Sequence, residues 1–214
     1  MKRRLDGFPL SSILAQNLPK QYSGAAMIVY IHGFRSAPSS EKARLLADRL
    51  AERGLADAFW CEQLPASPKA SVLLIEEALA RHPGAPTLVG SSLGGYYATY
   101  LAEKHDLRAV LINPAVVAHL SLAQYLGPQS NVYTGEIFEF TQEHIAELEA
   151  LEVPRLAKPE RFWLLAETGD QVLDYRQAVE KYAGACQTIV EGGDHSFTRF
   201  PEYLDAIIDY AGLR

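Results

Sequence analysis

Ser92 lies in a segment that predicts an activated serine hydroxyl. Residues 90–94 read Gly-Ser-Ser-Leu-Gly, which matches the pattern G-x-S-x-G. The strand-like residues 87–89, Thr-Leu-Val, come directly before the pattern, and the helix-compatible residues 95–102 follow it. In that setting a strand turns sharply into a helix and exposes the serine oxygen, while the glycines avoid clashes with the neighbouring strand and helix. The segment therefore predicts a nucleophilic serine rather than an incidental glycine-rich turn.

His195 is the predicted base for this serine. A serine hydroxyl is a weak nucleophile at neutral pH and needs a neutral imidazole to accept its proton. His195 stands in the glycine-rich stretch 191–197, directly after an apolar run that ends near Val190, and it follows the serine in the chain. Of the other histidines, His82 and His105 lie near helix ends, and His119 and His144 lie on predicted helices. His32 comes ahead of the serine in the chain.

Asp170 is the carboxylate predicted to orient the imidazole. It follows the apolar run 162–166 and lies between the serine and the histidine in the chain, which is the order expected when the site is built on loops after later strands. Three other acids compete for this role. Glu167 is interpreted as the end of the strand, and Asp174 as the start of the next helix. Asp194 is interpreted as a structural neighbour of the histidine.

Two backbone N–H groups are predicted to stabilise the oxyanion of a tetrahedral intermediate. One belongs to Leu93, which follows the serine, and the other to Phe34, in the loop after the first apolar run. Arg35 in the same loop could contact an anionic part of the substrate, such as a carboxylate or phosphate. Acyl-CoA is therefore one hypothesis for the substrate, and a solvated arginine at the edge of the site is the alternative.

Apolar runs alternate with helical patterns from residue 27 onward, and these elements must position the candidate residues. The runs predicted as strands are 27–31, 58–61, 87–89, 109–112, 161–166 and 187–190. The stretches predicted as helices between them are 40–53, 68–81, 93–104, 173–182 and 201–210. The alternation predicts an α/β fold with a mostly parallel, doubly wound sheet of about six strands.

Two segments depart from this alternation. Residues 1–26 show no convincing period and are predicted to be a loose N-terminal extension to a single domain over residues 27–214. Residues 115–160 contain helical patterns near 115–126 and 142–151 but no convincing strand. We expect them to form a short lid-like helical insertion above the sheet, with ordinary surface structure as the alternative.

Charge and composition exclude several classes of partner. The 214-residue chain has a formal net charge of −6, which disfavours binding to nucleic acid or to an anionic membrane. Without a continuous run of 18 apolar residues, the sequence predicts no ordinary transmembrane helix. Cys61 and Cys186 form no C-x-x-C motif and are interpreted as buried thiols of a protein in the reducing cytoplasm.

No motif in the sequence predicts a cofactor or a metal. The chain contains no H-E-x-x-H motif, and the glycines at 90–95 are not followed by the lysine of a phosphate-binding loop. The first strand is not followed by G-x-G-x-x-G, which argues against a dinucleotide. The expected partner is therefore a small-molecule substrate.

Taken together, the motifs at residues 32–34, 90–95, 169–170 and 192–197 resemble those of the small YqiA/YcfP-like esterases of the α/β-hydrolase superfamily. The resemblance extends from residue 27 almost to the C terminus, and residues 1–26 depart from the family's pattern. It implies a compact α/β-hydrolase fold and cofactor-free intracellular hydrolysis of carboxylic esters or thioesters. It also implies Ser92 as nucleophile, Asp170 as acid and His195 as base.

Two alternatives to this interpretation stay open at the level of sequence. The chain could be a catalytically silent α/β-hydrolase scaffold that binds a ligand or partner, although such a protein has no physical need for all three groups. It could also use the same fold for other chemistry, as a C–C bond hydrolase or a perhydrolase.

Overall fold

A parallel sheet forms the centre of the molecule, and its strands are the predicted apolar runs. A computed structural model describes residues 26–82 and 84–214. The strands are β1 (Ile28–Ile31), β2 (Phe59–Trp60), β3 (Thr87–Ser91), β4 (Arg108–Ile112), β5 (Gly127–Ser130), β6 (Ile137–Phe140), β7 (Phe162–Glu167) and β8 (Cys186–Val190). The helices are α1 (Glu41–Glu52), α2 (Pro68–Arg81), α3 (Leu93–His105), α4 (Ala118–Leu122), α5 (Gln142–Ala150), α6 (Tyr175–Lys181) and α7 (Leu204–Tyr210).

Six strands pair in the order β2-β1-β3-β4-β7-β8, and every pairing is parallel. Parallel strands must be joined by crossovers, so helices cover both faces of the sheet. Along β1, Val29 and Ile31 face the side covered by α2, α3 and α6. Ile28 and Tyr30 face the side covered by α1 and α7. This is the predicted doubly wound architecture.

The carboxyl ends of the strands lie along one edge of the sheet, as they must in a parallel sheet. Ser92 directly follows β3, and the loop that begins with His32 directly follows β1. The loops that carry Asp170 and His195 follow β7 and β8. The candidate residues therefore come from four strand ends that are far apart in the chain.

Residues 115–160 differ in detail from the prediction. Helix α4 and a 3₁₀ turn at Ala123–Tyr125 occupy the first predicted helical stretch, and α5 occupies the second. Between them β5 and β6 form an antiparallel hairpin that the sequence pattern did not indicate. The sequence of β5 is Gly-Pro-Gln-Ser, and since Gly and Pro are depleted in strands, only pairing with β6 identifies it. The prediction for residues 1–26 falls, apart from Ala26, outside the described residues.

The two cysteines lie far apart. Cys61 directly follows β2, and Cys186 begins β8, so they belong to opposite edges of the sheet. Both are free thiols. Burial raises the pKa of Cys61 to about 12 and raises the pKa of Cys186 as well. No helix in the described part of the chain is long and apolar enough to cross a membrane.

Candidate active site

Ser92 lies on a tight turn between β3 and α3 and has a backbone φ of 55°. A residue other than glycine in this region costs about 1–3 kcal/mol, which the surrounding structure must offset. Close packing around the turn supplies that constraint. A Cβ atom on Gly94 would overlap the carbonyl oxygen of Ile31, and one on Gly90 would overlap the backbone of Gly94. These glycines let α3 approach the sheet closely enough to hold the serine in place.

The three predicted residues are joined by hydrogen bonds. The Oγ atom of Ser92 lies 3.1 Å from Nε2 of His195. The Nδ1 atom of His195 lies 2.8 Å from Oδ2 of Asp170. An ionised carboxylate can only accept, so Nδ1–H donates to Asp170, and Nε2 is left to accept the proton of the Ser92 hydroxyl. The structure thus brings together residues that are 103 and 25 positions apart in the chain.

The carboxyl group of Asp170 is held in its ionised form. Its side chain is 2% exposed, and its Oδ1 atom accepts the backbone N–H groups of Val172 at 2.8 Å and Leu173 at 2.9 Å. Burial by itself would raise the pKa of Asp170, but the hydrogen bonds from His195 and from these backbone groups outweigh it and lower the pKa. A negative charge therefore faces the imidazole at neutral pH.

The competing acids have other hydrogen-bond partners. Asp174 caps the N terminus of α6 by accepting the backbone N–H of Arg176 at 3.0 Å. Asp194 accepts the backbone N–H of Ser196 at 2.7 Å, which shapes the loop beside the histidine. Glu167 is the last residue of β7 and is fully buried. These placements agree with the interpretation of each acid from the sequence.

Asn113 and Glu167 hold the loop that carries His195 through hydrogen bonds to its backbone, and the sequence did not single them out for this role. The Nδ2 atom of Asn113 donates to the carbonyl oxygens of Asp194 at 3.0 Å and His195 at 3.2 Å. Its Oδ1 atom accepts the N–H of Glu167 at 2.9 Å. The Oε2 atom of Glu167 accepts the N–H of Asp194 at 2.8 Å. The only available signal was a polar residue directly after the buried strand β4.

The predicted oxyanion donors flank the serine. Leu93 is the first residue of α3, so its N–H belongs to the group at a helix start that has no intrahelical acceptor. The loop containing Phe34 passes close to the serine, because a Cβ atom on Gly33 would lie 3.2 Å from Cβ of Ser92. Leu93 and the loop containing Phe34 therefore both lie beside Ser92, and their role as oxyanion donors stays a prediction.

His32 holds the loop that contains Phe34. Its Nδ1 lies 3.0 Å from the carbonyl oxygen of Gly33, and its Nε2 accepts the N–H of Leu64 at 3.1 Å. His32 is 4% exposed, and this burial lowers its pKa. The neutral imidazole therefore donates to Gly33 in its own loop and accepts from Leu64 in the segment after β2, which ties the two segments together.

The β5–β6 hairpin is clamped to the same loop. The N–H of Val132 donates to the carbonyl of Arg35 at 2.9 Å, and Nε of Arg35 donates to the carbonyl of Ser130 at 2.9 Å. The Nδ2 atom of Asn131 donates to the carbonyl of Ser36 at 2.7 Å. The ring of Phe34 packs against three aromatic rings of residues 115–160, those of Tyr125, Phe138 and Phe140. The hairpin thereby fixes the position of the predicted oxyanion donor.

A cavity of about 260 Å³ opens beside Ser92 and His195. Its walls are mostly apolar, and we call it the apolar cavity; it is lined by Leu93, Ala115, Leu122, Tyr125, Val172 and Leu173. Arg35 also lines it, and the predicted contact of Arg35 with an anionic group stays a prediction. Among residues 26–82 and 84–214, no group of three or more His, Cys, Asp or Glu side chains is arranged to hold a metal ion.

Comparisons with known proteins agree with the fold. The model of the family described as Uncharacterised protein family (UPF0227) matches residues 27–212. Alpha/beta hydrolase domain-containing protein 10 from mouse superposes with a TM-score of 0.66 at 16% identity, covering 87% of this chain and 90% of that one. The esterase domain of a Rhodothermus marinus protein superposes with a TM-score of 0.64 at 16% identity, covering 91% and 89% of the two chains. The monoacylglycerol lipase of Paleococcus ferrophilus gives a TM-score of 0.63 at 15% identity, with 89% and 98% covered. The predicted α/β-hydrolase fold is confirmed.

Proposed function

The chain belongs to the UPF0227 family, and we propose that it is a serine hydrolase that cleaves carboxylic esters or thioesters through an acyl-enzyme on Ser92. The observation that carries the proposal is the pair of hydrogen bonds that connect Ser92 through His195 to Asp170. That arrangement turns a weak nucleophile into a strong one because a base and its orienting carboxylate are already in position.

The first half of the reaction would acylate the serine. Oγ of Ser92 forms a bond to the carbonyl carbon while its proton passes to Nε2 of His195. The carbonyl electron pair moves onto oxygen, and the N–H groups of Phe34 and Leu93 stabilise the resulting negative charge. When the intermediate collapses, the bond to the alcohol oxygen or thiol sulfur breaks. His195 returns its proton to that leaving atom.

The second half would release the acid. A water molecule transfers one proton to His195 and forms a bond to the acyl carbon through its oxygen. The second intermediate collapses with cleavage of the carbon–Oγ bond, and the proton on His195 returns to Oγ of Ser92. Asp170 stays ionised throughout and stabilises the imidazolium form of His195 in both halves.

The apolar cavity is the proposed site of the acyl chain. Hydrophobic walls with a few polar groups are typical of small-molecule sites. Here the polar lining residues are Ser92, His195, Arg35, Ser121 and Gln124. Residues 115–160 serve as a lid-like wall, because Leu122, Tyr125 and Val132 all line the cavity. Acyl-CoA remains one candidate substrate. The proposed cytoplasmic location depends on the two free thiols described above.

A fluorophosphonate probe tests the proposal, because it labels serines that are activated for attack. We expect an adduct on Ser92, located by mass spectrometry, that disappears in Ser92→Ala. Ser39→Ala provides a matched control, since Ser39 is an exposed serine outside the cavity, and its labelling should equal that of the parent. A folded parent protein without an adduct would instead favour a silent binding scaffold.

A further inference from the structure

A second cleft, of about 220 Å³, also borders Ser92 and His195. Charged and hydroxyl side chains are more frequent among its lining residues than among those of the apolar cavity, and Phe34 and Val132 line both. We call it the Lys42 cleft, and it is lined by Ser36, Ser40, Glu41, Lys42, Tyr133 and Ser196. A substrate carbonyl held at Ser92 therefore borders both the apolar cavity and the Lys42 cleft.

Lys42 brings a positive charge to this cleft. Its Nζ atom donates to the carbonyl oxygen of Ser196 at 2.6 Å, so the ammonium group lies beside the residue that follows His195. The side chain is partly buried, and this burial lowers the pKa of Lys42 despite the longer-range attraction of three acids, Glu41, Asp194 and Glu167. Within the described part of the chain, no carboxylate forms a salt bridge with it. Its recorded hydrogen bond is to a neutral carbonyl rather than to a carboxylate, so the positive charge can still attract an anion in the cleft.

Ser40 adds an unused hydroxyl group at the same place. The residue is 8% exposed and precedes the twelve-residue helix α1 as its N-cap, but its side chain makes no capping hydrogen bond. Its Oγ atom has no hydrogen-bond partner among the residues that the structure describes. Leaving a buried hydroxyl unpaired costs about 1–3 kcal/mol. The N terminus of α1, whose first residues line the cleft, carries backbone N–H groups without intrahelical acceptors, which favours an anion nearby.

We propose that the Lys42 cleft binds a single compact anion on the leaving group of the substrate. The inference rests on the proposed function, in which the acyl chain occupies the apolar cavity and the leaving group lies next to His195. It assigns the substrate class as esters or thioesters whose alcohol or thiol carries a carboxylate or phosphate a few bonds from the cleaved bond. This ranks such compounds above acyl-CoA, whose phosphates lie many bonds from the thioester sulfur. Arg35 is the weaker candidate for contacting the anion because its Nε atom already donates a hydrogen bond to the carbonyl oxygen of Ser130.

Glu41 sets the preferred charge of that anion. It is exposed and lines the same cleft, so it repels a second negative charge while Lys42 attracts the first. A monoanionic carboxylate is therefore expected to bind better than a phosphate dianion. A phosphate group that bound more tightly would overturn this ranking.

Binding to Ser92→Ala separates this inference from the proposed function, because a variant that lacks the nucleophile shows affinity without turnover. The probe is the butanoyl ester of 3-hydroxypropanoate, compared with the same ester of 3-hydroxypropanamide, which is similar in shape but neutral. By titration calorimetry we expect the acid to bind about tenfold more tightly, as a charge-assisted contact predicts. The ester of 2-hydroxyethyl phosphate forms the third arm. Equal affinity for the acid and the amide would overturn the inference, whether or not a fluorophosphonate labels Ser92 in the parent protein.

Two further variants assign the preference to the cleft. Combining Lys42→Met with Ser92→Ala keeps most of the Lys42 side-chain stem and removes its charge. The tenfold preference for the acid over the amide should then disappear, whereas affinity for the amide should stay unchanged. Arg44→Met is the matched control, since it removes a positive charge from an exposed position of α1 that does not line the cleft. A preference that survives in Lys42→Met would overturn the assignment.

Ser40→Ala gives a readout that a structural role would not produce. The change removes an unpaired hydroxyl and no capping bond, so the melting temperature should be unchanged or higher. Affinity for the acid should nevertheless fall severalfold. A lower melting temperature with unchanged affinity would show that the hydroxyl is structural.

Discussion

The side-chain amide of Asn113 donates a hydrogen bond to the backbone carbonyl of His195 at 3.2 Å. Asn113 has a positive φ of 39° and directly follows β4, the neighbour of β3, which Ser92 directly follows. One side chain on a central strand end thereby fixes the loop that carries the proposed base. The distance between His195 and Ser92 depends on this contact as well as on the two residues themselves.

Replacing Asn113 should lower activity without altering substrate affinity. Asn113→Ala removes the two donors to the histidine loop, and misplacing a catalytic group by about 1 Å can lower kcat by about 10²-fold. Steady-state kinetics on a short-chain ester would show the fall in kcat with little change in KM. Asn113→Gly serves as the control for backbone strain, because glycine adopts a positive φ freely. Full activity in Asn113→Gly would contradict a positioning role for the side chain.

Asp170→Asn should abolish most of the activity while leaving the fold intact. An amide in this place cannot hold the imidazole in the required tautomer, and in serine proteases the equivalent change lowers kcat on the order of 10⁴-fold. Asp174→Asn is the matched control, because Asp174 caps α6 and asparagine caps a helix about as well. Comparable losses in the two variants would argue against Asp170 as the acid.

Asn131→Ala should reduce kcat by about tenfold, because a clamp between the hairpin and the loop of the proposed oxyanion donor is lost. Asn131 is 6% exposed, and its amide bonds to Ser36 across 95 positions of chain. Thr134→Ala changes the same turn at an exposed residue and should retain activity. The comparison uses kcat together with the rate of fluorophosphonate labelling. If both variants behaved alike, the hairpin would act only as surface structure.

Gly94→Ala should destabilise the whole fold rather than the site alone. Its Cβ atom would overlap the backbone of β1 at Ile31, and overpacking costs about 1–3 kcal/mol even where side chains can adjust. Thermal unfolding should show a large fall in Tm or a failure to fold. Gly212→Ala also places alanine at a glycine, but into open space with a φ of 79°, so it should cost only about 1–2 kcal/mol. Equal losses would mean that the close approach of α3 to β1 is not required.

His32 should make stability depend on pH. Its pKa is lowered in the folded protein because it is buried, whereas the unfolded chain takes up a proton near pH 6.5, at the ordinary value for histidine. Below about pH 6.5 the unfolded state therefore binds more protons, and the free energy of unfolding falls as the pH decreases. Urea unfolding from about pH 8 to about pH 5 should show this fall. In His32→Gln the fall should be shallower, and an identical slope in both proteins would contradict the assignment.

Local sequence patterns were sufficient to predict the parallel sheet and the turn at Ser92. A strand buried on both faces is read as a continuous apolar run, which is why residues 27–31 and 109–112 could be recognised without tertiary information. The elbow could be predicted because its glycines, its preceding strand and its following helix are all contiguous. The positions of Asp170 and His195 followed from the rule that parallel sheets place their sites at strand carboxyl ends.

Tertiary structure alone decided the contacts that connect distant segments. The hairpin strand at Gly127–Ser130 has no strand propensity of its own and exists through pairing with Ile137–Phe140. Lys42 meets Ser196 across 154 positions of the chain, and nothing in the composition of a first helical turn indicates that contact. Periodicity and motifs report which backbone a segment forms, because those preferences act over a few residues. Which polar side chain faces the serine depends instead on how the packed helices and loops meet above the sheet.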